Sequence, residues 1–276
     1  MAAWIAARCP VIADAEIDKL TLPVLLRRAG LDRYVVPVAE LPADGVMEVM
    51  RAFLHDHPQA VVKAADGRNG IGLYFIDRDE GGWRLQRDRE LRVGSLDELL
   101  TFLGGRLAGR LVYRRFLVQR YISSRTADGR AADIRIHLQR RDDGTWGTTR
   151  SYVRMAEYGM RVSNIARGGY QGSLAGFFEG RRRTVADVGR EIDDLVLAIA
   201  RVVDDHHGAP MSELGIDVAV DQDDRLWVIE ANAFPQTSLH EQRRAIHTIG
   251  YARFVAAFER HRRTTSGRPD PDARSM

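Results

Sequence analysis

The chain has 276 residues, of which 45% are hydrophobic and 29% are charged, and its formal net charge is +3 at pH 7. These values are typical of a globular protein with one large or two modest domains. The single cysteine, Cys9, excludes an internal disulfide, and no apolar run approaches the roughly 20 residues that span a bilayer. Because no basic segment precedes the apolar N-terminal residues, we expect no signal peptide and a cytoplasmic location without a membrane partner.

The basic residues are almost all arginine. They are dispersed along the chain rather than clustered on one helix, so we expect no nucleic-acid partner. Of the 41 lysines and arginines, only Lys19 and Lys63 are lysines. These two positions are therefore candidates for a compact, flexible point charge, which is how lysine binds a phosphate.

In chain order, the first half predicts two helices and then a run of strands. The helices lie near residues 21–29 and 46–55, and "QAVVKAADGRNGIGLYFI" reads as a strand, a glycine loop and a strand. Ser95 and Glu98 have the spacing of a capping box, so a third helix begins there. "RRFLVQRYI" predicts a further apolar strand.

The second half predicts two hairpins separated by a loop and a long helix. The first hairpin turns at Asp143 and Gly144, the loop "RVSNIARGGYQGSLAGF" follows, and the helix begins at Thr184 with apolar residues three and four apart. The second hairpin is "IDVAVDQDDRLWVIEANAFP", followed by a helical region near residues 238–260. This order of elements predicts an α+β fold with antiparallel hairpins and helices packed on one face.

The second hairpin carries Asp217, Glu230 and Asn232 among apolar residues. A tight turn centred between Asp223 and Asp224 places Asp217 opposite Glu230, with Asn232 on the same face. Facing carboxylates roughly 5 Å apart repel unless one is protonated or a cation lies between them. Two carboxylates and an amide oxygen suit Mg²⁺ or Mn²⁺, whereas the alternative is a polar hairpin face in water.

In the first hairpin, Asp133 and Arg135 share one face of a strand. A two-residue turn at Asp143 and Gly144 places Asp133 opposite Arg154, so that two arginines flank one carboxylate. A plain cross-strand salt bridge is the alternative, and a slip of one residue would move Arg154 to the other face.

Lys63 lies near the end of an apolar strand, immediately before "ADGRNGIG". Glycines there let backbone N–H groups approach an anion, while the lysine supplies charge. The loop is not a Walker loop, because no Gly-Lys-Ser/Thr follows, and it is not a Rossmann fingerprint, because it leads into a strand. A flexible turn with an exposed lysine is the alternative.

The order of the motifs resembles the ATP-grasp superfamily. The motifs are "DKL" before a helix, "VVKAADGRNGIG", "LVQRYI", "DIRIHLQ", "YVRMAE", "SNIARGG", and "LGIDVAVD" followed by "WVIEANAFP". They resemble the YheC/YheD-type branch and are also similar to RimK-type carboxylate–amine ligases. The resemblance covers residues 18–235 and implies an ATP-grasp fold, in which two subdomains with antiparallel sheets and packed helices clasp the nucleotide.

The resemblance also implies a role for each matching residue. Those at the ATP would be Lys19, Lys63, Gly67, Gly70, Gly72, Gln119, Arg120, Tyr121, Ile122 and Asn164, with residues 119–122 as the adenine hinge. Those holding Mg²⁺ or Mn²⁺ would be Asp217, Glu230 and Asn232. Arg135 and Arg154 would stabilise the transferring phosphoryl group. Those near the substrate would be Asp133, Arg167, Gly168 and Gly169.

The activity implied is an ATP- and Mg²⁺-dependent ligase that joins a carboxylate to an amine through an acyl phosphate, on a small-molecule or peptide substrate. The alternatives are a phosphotransferase on the same fold and a non-catalytic nucleotide-binding coat or assembly protein. We divide the chain into a short N-terminal segment that is a vestigial pre-ATP-grasp region (1–58), an N-subdomain (59–120), a C-subdomain with the metal site (121–260) and a disordered tail (261–276). The domain that usually precedes the ATP-grasp fold is thus expected to be missing or vestigial. A second copy or a partner protein would complete the acceptor site.

Overall fold

The computed structural model of the chain describes residues 12, 15–67, 70–163, 168–208, 211–236 and 239–265. The helices are α1 (Thr21–Arg28), α2 (Val46–Asp56), α3 (Leu96–Leu111), α4 (Leu174–Phe178), α5 (Val185–His207) and α6 (Glu241–Thr265). The strands are β1 (Val38–Leu41), β2 (Gln59–Ala64), β3 (Tyr74–Asp79), β4 (Gly82–Arg87), β5 (Glu90–Gly94), β6 (Phe116–Arg120), β7 (Ala132–Arg140), β8 (Trp146–Met155), β9 (Tyr170–Gly172), β10 (Glu213–Val220) and β11 (Leu226–Asn232). Within these residues, no helix is both long and apolar enough to cross a bilayer.

Six short strands form one sheet in the order β1-β6-β2-β3-β4-β5, with antiparallel pairing throughout. We call it the small sheet because its strands are mostly shorter than those of the second sheet. Val62 and Ala64 of β2 share a core with Leu100 and Leu103 of α3. Side chains alternate between the two faces of a strand, so Lys63 lies on the face away from these helices. The predicted capping box is confirmed, because Ser95 and Glu98 exchange both of its hydrogen bonds at the start of α3.

The other five strands form a large sheet in the order β11-β10-β7-β8-β9, again antiparallel. The apolar stripe of α5, which includes Ile192, Leu195 and Ile199, shares a core with Ile134 and Ile136 of β7. The small sheet therefore carries its helices on one face, and the large sheet carries α5 on one face. On the other face of the large sheet, α6 covers the end of β7, where Gln139 Nε2 donates to the Arg244 carbonyl and to Thr248 Oγ1, and the rest of that face borders a cleft. The predicted α+β class is confirmed.

The described residues up to position 58 are divided between the two sheets. Leu22 and Leu26 of α1 lie in the core of the large sheet, whereas β1 and Met50 of α2 belong to the small one. The domain boundary at residue 58 stays a prediction. The described residues before it contribute a helix to the core of the large sheet, and a strand and a helix to the small-sheet unit. At the other end, α6 runs to Thr265, past the predicted boundary at residue 260, and residues 266–276 lie outside the described chain.

The hairpin β10–β11 pairs Asp217 with Glu230 as predicted, but a longer loop and a β-bulge, which were not predicted, produce this pairing. Its loop is longer than the predicted two-residue turn: the Asp221 N–H donates to the Arg225 carbonyl over 3.1 Å, and Asp224 has φ +59°. This loop shifts the pairing nearest the turn by one residue. A β-bulge between Asp217 and the next residue restores it, so Asp217 does pair with Glu230.

The hairpin β7–β8 is built in the same way. Gly144 has φ +79° in a loop closed by a 2.8 Å hydrogen bond from the Arg141 N–H to the Thr145 carbonyl. A bulge after His137 again restores the register, and Asp133 pairs with Arg154 as predicted. In both hairpins the turn prediction was wrong in length, and the bulge compensates for it.

Candidate active site

A cleft of about 660 Å³ lies between the free faces of the two sheets. Val61 and Phe75 line it from the small sheet, and Ala219 and Ile229 line it from the large one. Lys63 and Asp133 lie at the polar end of the same lining. The cleft therefore offers an apolar slot that continues into a charged end.

The four predicted hinge residues, 119–122, all line this cleft. The backbone there is fixed from the small sheet, because the Tyr121 N–H donates to the Gln59 carbonyl over 2.9 Å. The Arg120 guanidinium lies 5.3 Å from the centre of the Trp227 ring, on a strand of the large sheet. The segment thus joins the two units at the apolar end, where a hinge is expected.

Lys63 is the buried cation of the cleft. Its side chain lies on β2 and the residue is only 7% exposed. Burial lowers the pKa of Lys63 to about 8, and Glu230 opposes this shift. In the described part of the chain, no hydrogen bond or ion pair engages the Lys63 ammonium. A desolvated ammonium without a contacting acceptor is a strong site for an anion.

Lys19 lies just before α1, and its Nζ atom is 3.0 Å from Glu230 Oε2. The same ammonium donates to the carbonyl of Gly67, at the start of the glycine loop. The Asp18 carboxylate accepts 2.8 Å hydrogen bonds from the N–H groups of Leu20 and Thr21, which fixes the turn that presents Lys19. The packing of α1 on the large sheet therefore places this lysine against β11.

The two lysines also govern Glu230. Burial would raise the pKa of this carboxyl, but Lys19 and Lys63, together with a hydrogen bond donated by Asn232, hold it well below its ordinary value. Glu230 is thus an ionised carboxylate, half-buried beside two cations.

Asp217 is 2% exposed and accepts hydrogen bonds from two arginines. Arg135 binds it through Nε and through Nη2, the latter at 3.1 Å, and Arg154 Nη2 lies 2.8 Å from its Oδ2 atom. Burial raises the pKa of Asp217 to about 6, and the two arginines oppose this shift. The repulsion predicted between Asp217 and Glu230 is therefore offset by cations of the protein itself.

The third predicted metal ligand, Asn232, lies beside Glu230. Its amide nitrogen donates to Glu230 Oε1 over 3.1 Å and reaches the Gly215 carbonyl at 3.5 Å, so its amide oxygen has no donor among the described residues. No group of three His, Cys, Asp or Glu side chains in that part of the chain forms a metal site. The set of two carboxylates and one amide oxygen nevertheless fits a hard cation such as Mg²⁺ that also binds phosphate.

Asp133 fixes the second arginine. Its carboxylate accepts two hydrogen bonds from Arg154, at 2.7 and 2.8 Å, and one from the Ser163 hydroxyl at 2.6 Å. The Asp133–Arg154 pair is therefore a cross-strand salt bridge. The same Arg154 guanidinium also contacts Asp217, so this salt bridge holds an arginine beside the predicted metal ligands. Asn164 and Arg167 lie outside the described residues, so their predicted roles stay predictions. Gly168 and Gly169 immediately precede β9.

Two contacts at this site were not anticipated from the sequence. A Cβ atom on Gly215 would lie 2.6 Å from Pro235 Cβ and 3.1 Å from Arg135 Nη1, so the glycine allows both residues to lie against β10. Ser163 also went unnoticed, and its position beside Asn164 in "SNIARGG" was the available signal.

The comparisons with known proteins agree with this geometry. Residues 14–253 match the family model described as YheC/D-like ATP-grasp. The chain belongs to this ATP-grasp family. It is 24% identical over 225 residues to the endospore coat-associated protein YheD of Bacillus subtilis (strain 168), covering 80% of this chain and 49% of YheD. It is 20% identical over 194 residues to YheC of the same strain, covering 68% of this chain and 52% of YheC. The chain thus spans about half the length of these relatives.

Solved structures show the same ATP-grasp fold. D-cycloserine synthetase DcsG superposes with a TM-score of 0.56 at 15% identity, covering 89% of this chain and 70% of DcsG. The ADP complex of purK, N5-carboxyaminoimidazole ribonucleotide synthetase, gives 0.53 at 13% identity, covering 85% and 51%. The ATP-grasp ligase PsnB, complexed with precursor peptide PsnA2 and AMPPNP, gives 0.50 at 16% identity, covering 86% and 59%. At these identities the likeness concerns the fold alone.

Proposed function

We propose that the protein is an ATP- and Mg²⁺-dependent ligase that joins a carboxylate to an amine. The observation that carries this proposal is the buried Lys63 ammonium, which forms no hydrogen bond or ion pair with any described residue, in a cleft whose lining also includes apolar side chains such as Val61 and Ile229. A nucleoside triphosphate has the matching shape, with a planar apolar base and an anionic tail. Its phosphates would reach Lys63 and Lys19 while its base occupies the slot between Val61 and Ile229.

The chemistry follows from the charges at that end. A substrate carboxylate oxygen attacks the γ-phosphorus, ADP leaves, and an acyl phosphate forms; an amine then attacks the acyl carbon and expels phosphate. The first step brings two anions together and the second releases phosphate as an anion while the amine loses a proton, so Arg135, Arg154 and the two lysines would offset the repulsion in the first step and stabilise the departing phosphate in the second. Mg²⁺ held by Asp217, Glu230 and Asn232 would neutralise phosphate charge when bound.

A small-molecule or peptide substrate is part of the proposal. Two of the structural neighbours are synthetases, and PsnB is a ligase solved with a precursor peptide. We further propose that a second copy or a partner protein completes the acceptor site.

Single-turnover reactions in hydroxylamine test the proposal. Mixtures of the protein, MgATP and amino acids or short peptides should release ADP and yield a hydroxamate from the trapped acyl phosphate. A phosphorylated substrate without hydroxamate would favour the phosphotransferase instead. Nucleotide binding without any ADP release, across amino acid and peptide pools, would favour the assembly role that the coat-associated relatives suggest.

A further inference from the structure

An ion pair between a half-buried arginine and a buried aspartate links the two units beside the cleft. Arg161 lies in the segment after β8 of the large sheet, and Asp77 lies on β3 of the small sheet, where it is 3% exposed. Arg161 Nη1 donates to Asp77 Oδ1 over 2.6 Å, and Nη2 donates to Oδ2. The same guanidinium lies 5.4 and 5.5 Å from the ring centres of Phe75 and Tyr121. This arginine is therefore held in one position against two residues of the cleft lining.

The next two residues contact other parts of the site. A Cβ atom on Gly70 would lie 2.6 Å from Val162 Cγ1, so Val162 packs directly on the glycine loop. Ser163 donates to Asp133, which in turn binds Arg154. Side chains on three consecutive residues cannot move far independently of one another, because about 3.8 Å of backbone separates each Cα from the next.

We propose that residues 161–163 form a strap that couples the nucleotide's base-binding end to the glycine loop and to Arg154, with the Arg161–Asp77 pair as its anchor. This inference rests on the proposed function. Arg161 is a positioning residue. Because Asp77 neutralises its charge, Arg161 would not bind the phosphates; it would instead hold a rigid surface against the nucleotide base. Loss of the anchor releases Val162 from the loop and Ser163 from Asp133.

The affinity for MgADP, measured by calorimetry, tests the strap without requiring turnover. Arg161→Ala should weaken MgADP binding about tenfold, as should Asp77→Asn. The charge-reversed pair, Arg161→Asp with Asp77→Arg, should recover most of the affinity because it re-forms the anchor. In any assay that detects turnover, the KM for ATP should rise more than kcat falls.

The matched control is Arg140→Ala. Arg140 pairs with Asp204 within the large-sheet unit, and its side chain is 15% exposed against 18% for Arg161, so its loss should lower the Tm without changing MgADP affinity. Should Arg161→Ala fail to fold, Arg161→Lys keeps the charge without the two-armed bond and carries the same test.

The outcomes separate the two proposals. Wild-type affinity in Arg161→Ala, or a reversed pair that folds but binds no better than Arg161→Ala, overturns the strap alone. A wild-type protein that binds no MgADP overturns the proposed function, and the strap with it.

Discussion

Replacement of Lys63 should stabilise the protein while abolishing nucleotide binding. Burial lowers the Lys63 pKa from its ordinary value of 10.5 to about 8. Because the folded pKa lies below the unfolded one, this group favours the fold above pH 10.5, and that contribution is lost as the pH falls through about 8. At about 1.4 kcal/mol per pKa unit, the folded protein at pH 7 carries a cost of about 3 kcal/mol for the charged side chain.

Lys63→Met removes this cost and fills the site with an unbranched apolar chain. We expect the free energy of unfolding at pH 7 to rise by about 2–3 kcal/mol, and the Tm by about 5–10 °C. Calorimetry should detect no MgATP binding by the same variant. Stability gained where function is lost is the signature of a residue that is retained for its charge.

The pH dependence of binding provides the second measurement. With a pKa of about 8, about nine-tenths of Lys63 is protonated at pH 7 and about one-tenth at pH 9. The Kd for MgATP should therefore rise about tenfold over that interval at fixed ionic strength, while the nucleotide's last phosphate proton is already lost near pH 6. Lys63→Arg stays charged and should show a flat profile. A less stable Lys63→Met, or equal slopes for the wild type and Lys63→Arg, would refute this reasoning.

Three further substitutions probe the surrounding geometry. Glu230→Gln should abolish ADP release while leaving the circular dichroism spectrum unchanged; retained turnover would refute the metal assignment. Gly215→Ala places a Cβ atom 2.6 Å from Pro235 Cβ and should lower the free energy of unfolding by about 1–3 kcal/mol in urea titrations; an unchanged free energy would show that the segment after β11, which carries Pro235, moves aside without cost. Asp224 is 2% exposed and binds Arg181 at 2.7 Å, so Asp224→Ala should cost about 3 kcal/mol, whereas the exposed neighbour Asp223→Ala should cost under about 0.5 kcal/mol. Equal losses from the two would contradict the assigned burial.

The elements that the sequence predicted best are those with strong local signals. The helix α5 begins after Thr184, whose side chain accepts from the Asp187 N–H, and it carries an apolar stripe at helical spacing. Strands β1, β5 and β9 were not predicted, because they are short and lie at the edge of a sheet or beside a loop. The helix α4 was hidden in the glycine-containing loop before Thr184, where five residues give too few turns for a period to appear.

The sequence by itself determined which carboxylates face each other. Strand side chains alternate with a period of two, so a register shifted by one residue would have moved the apolar set of β10 from the helix-facing core to the cleft face and the acidic set into that core. This constraint held even though both turn lengths were misjudged, since a bulge in each hairpin restored the pairing.

Tertiary structure alone decided which cations compensate those carboxylates. Arg135 and Arg154 reach Asp217 across strands, and Lys19 reaches Glu230 only because the core of the large sheet holds α1 in place. Such contacts join residues far apart in the chain, and no local periodicity encodes them. Their formation depends on how the sheets and helices pack, which is why the charge balance of the cleft could not be read from the sequence.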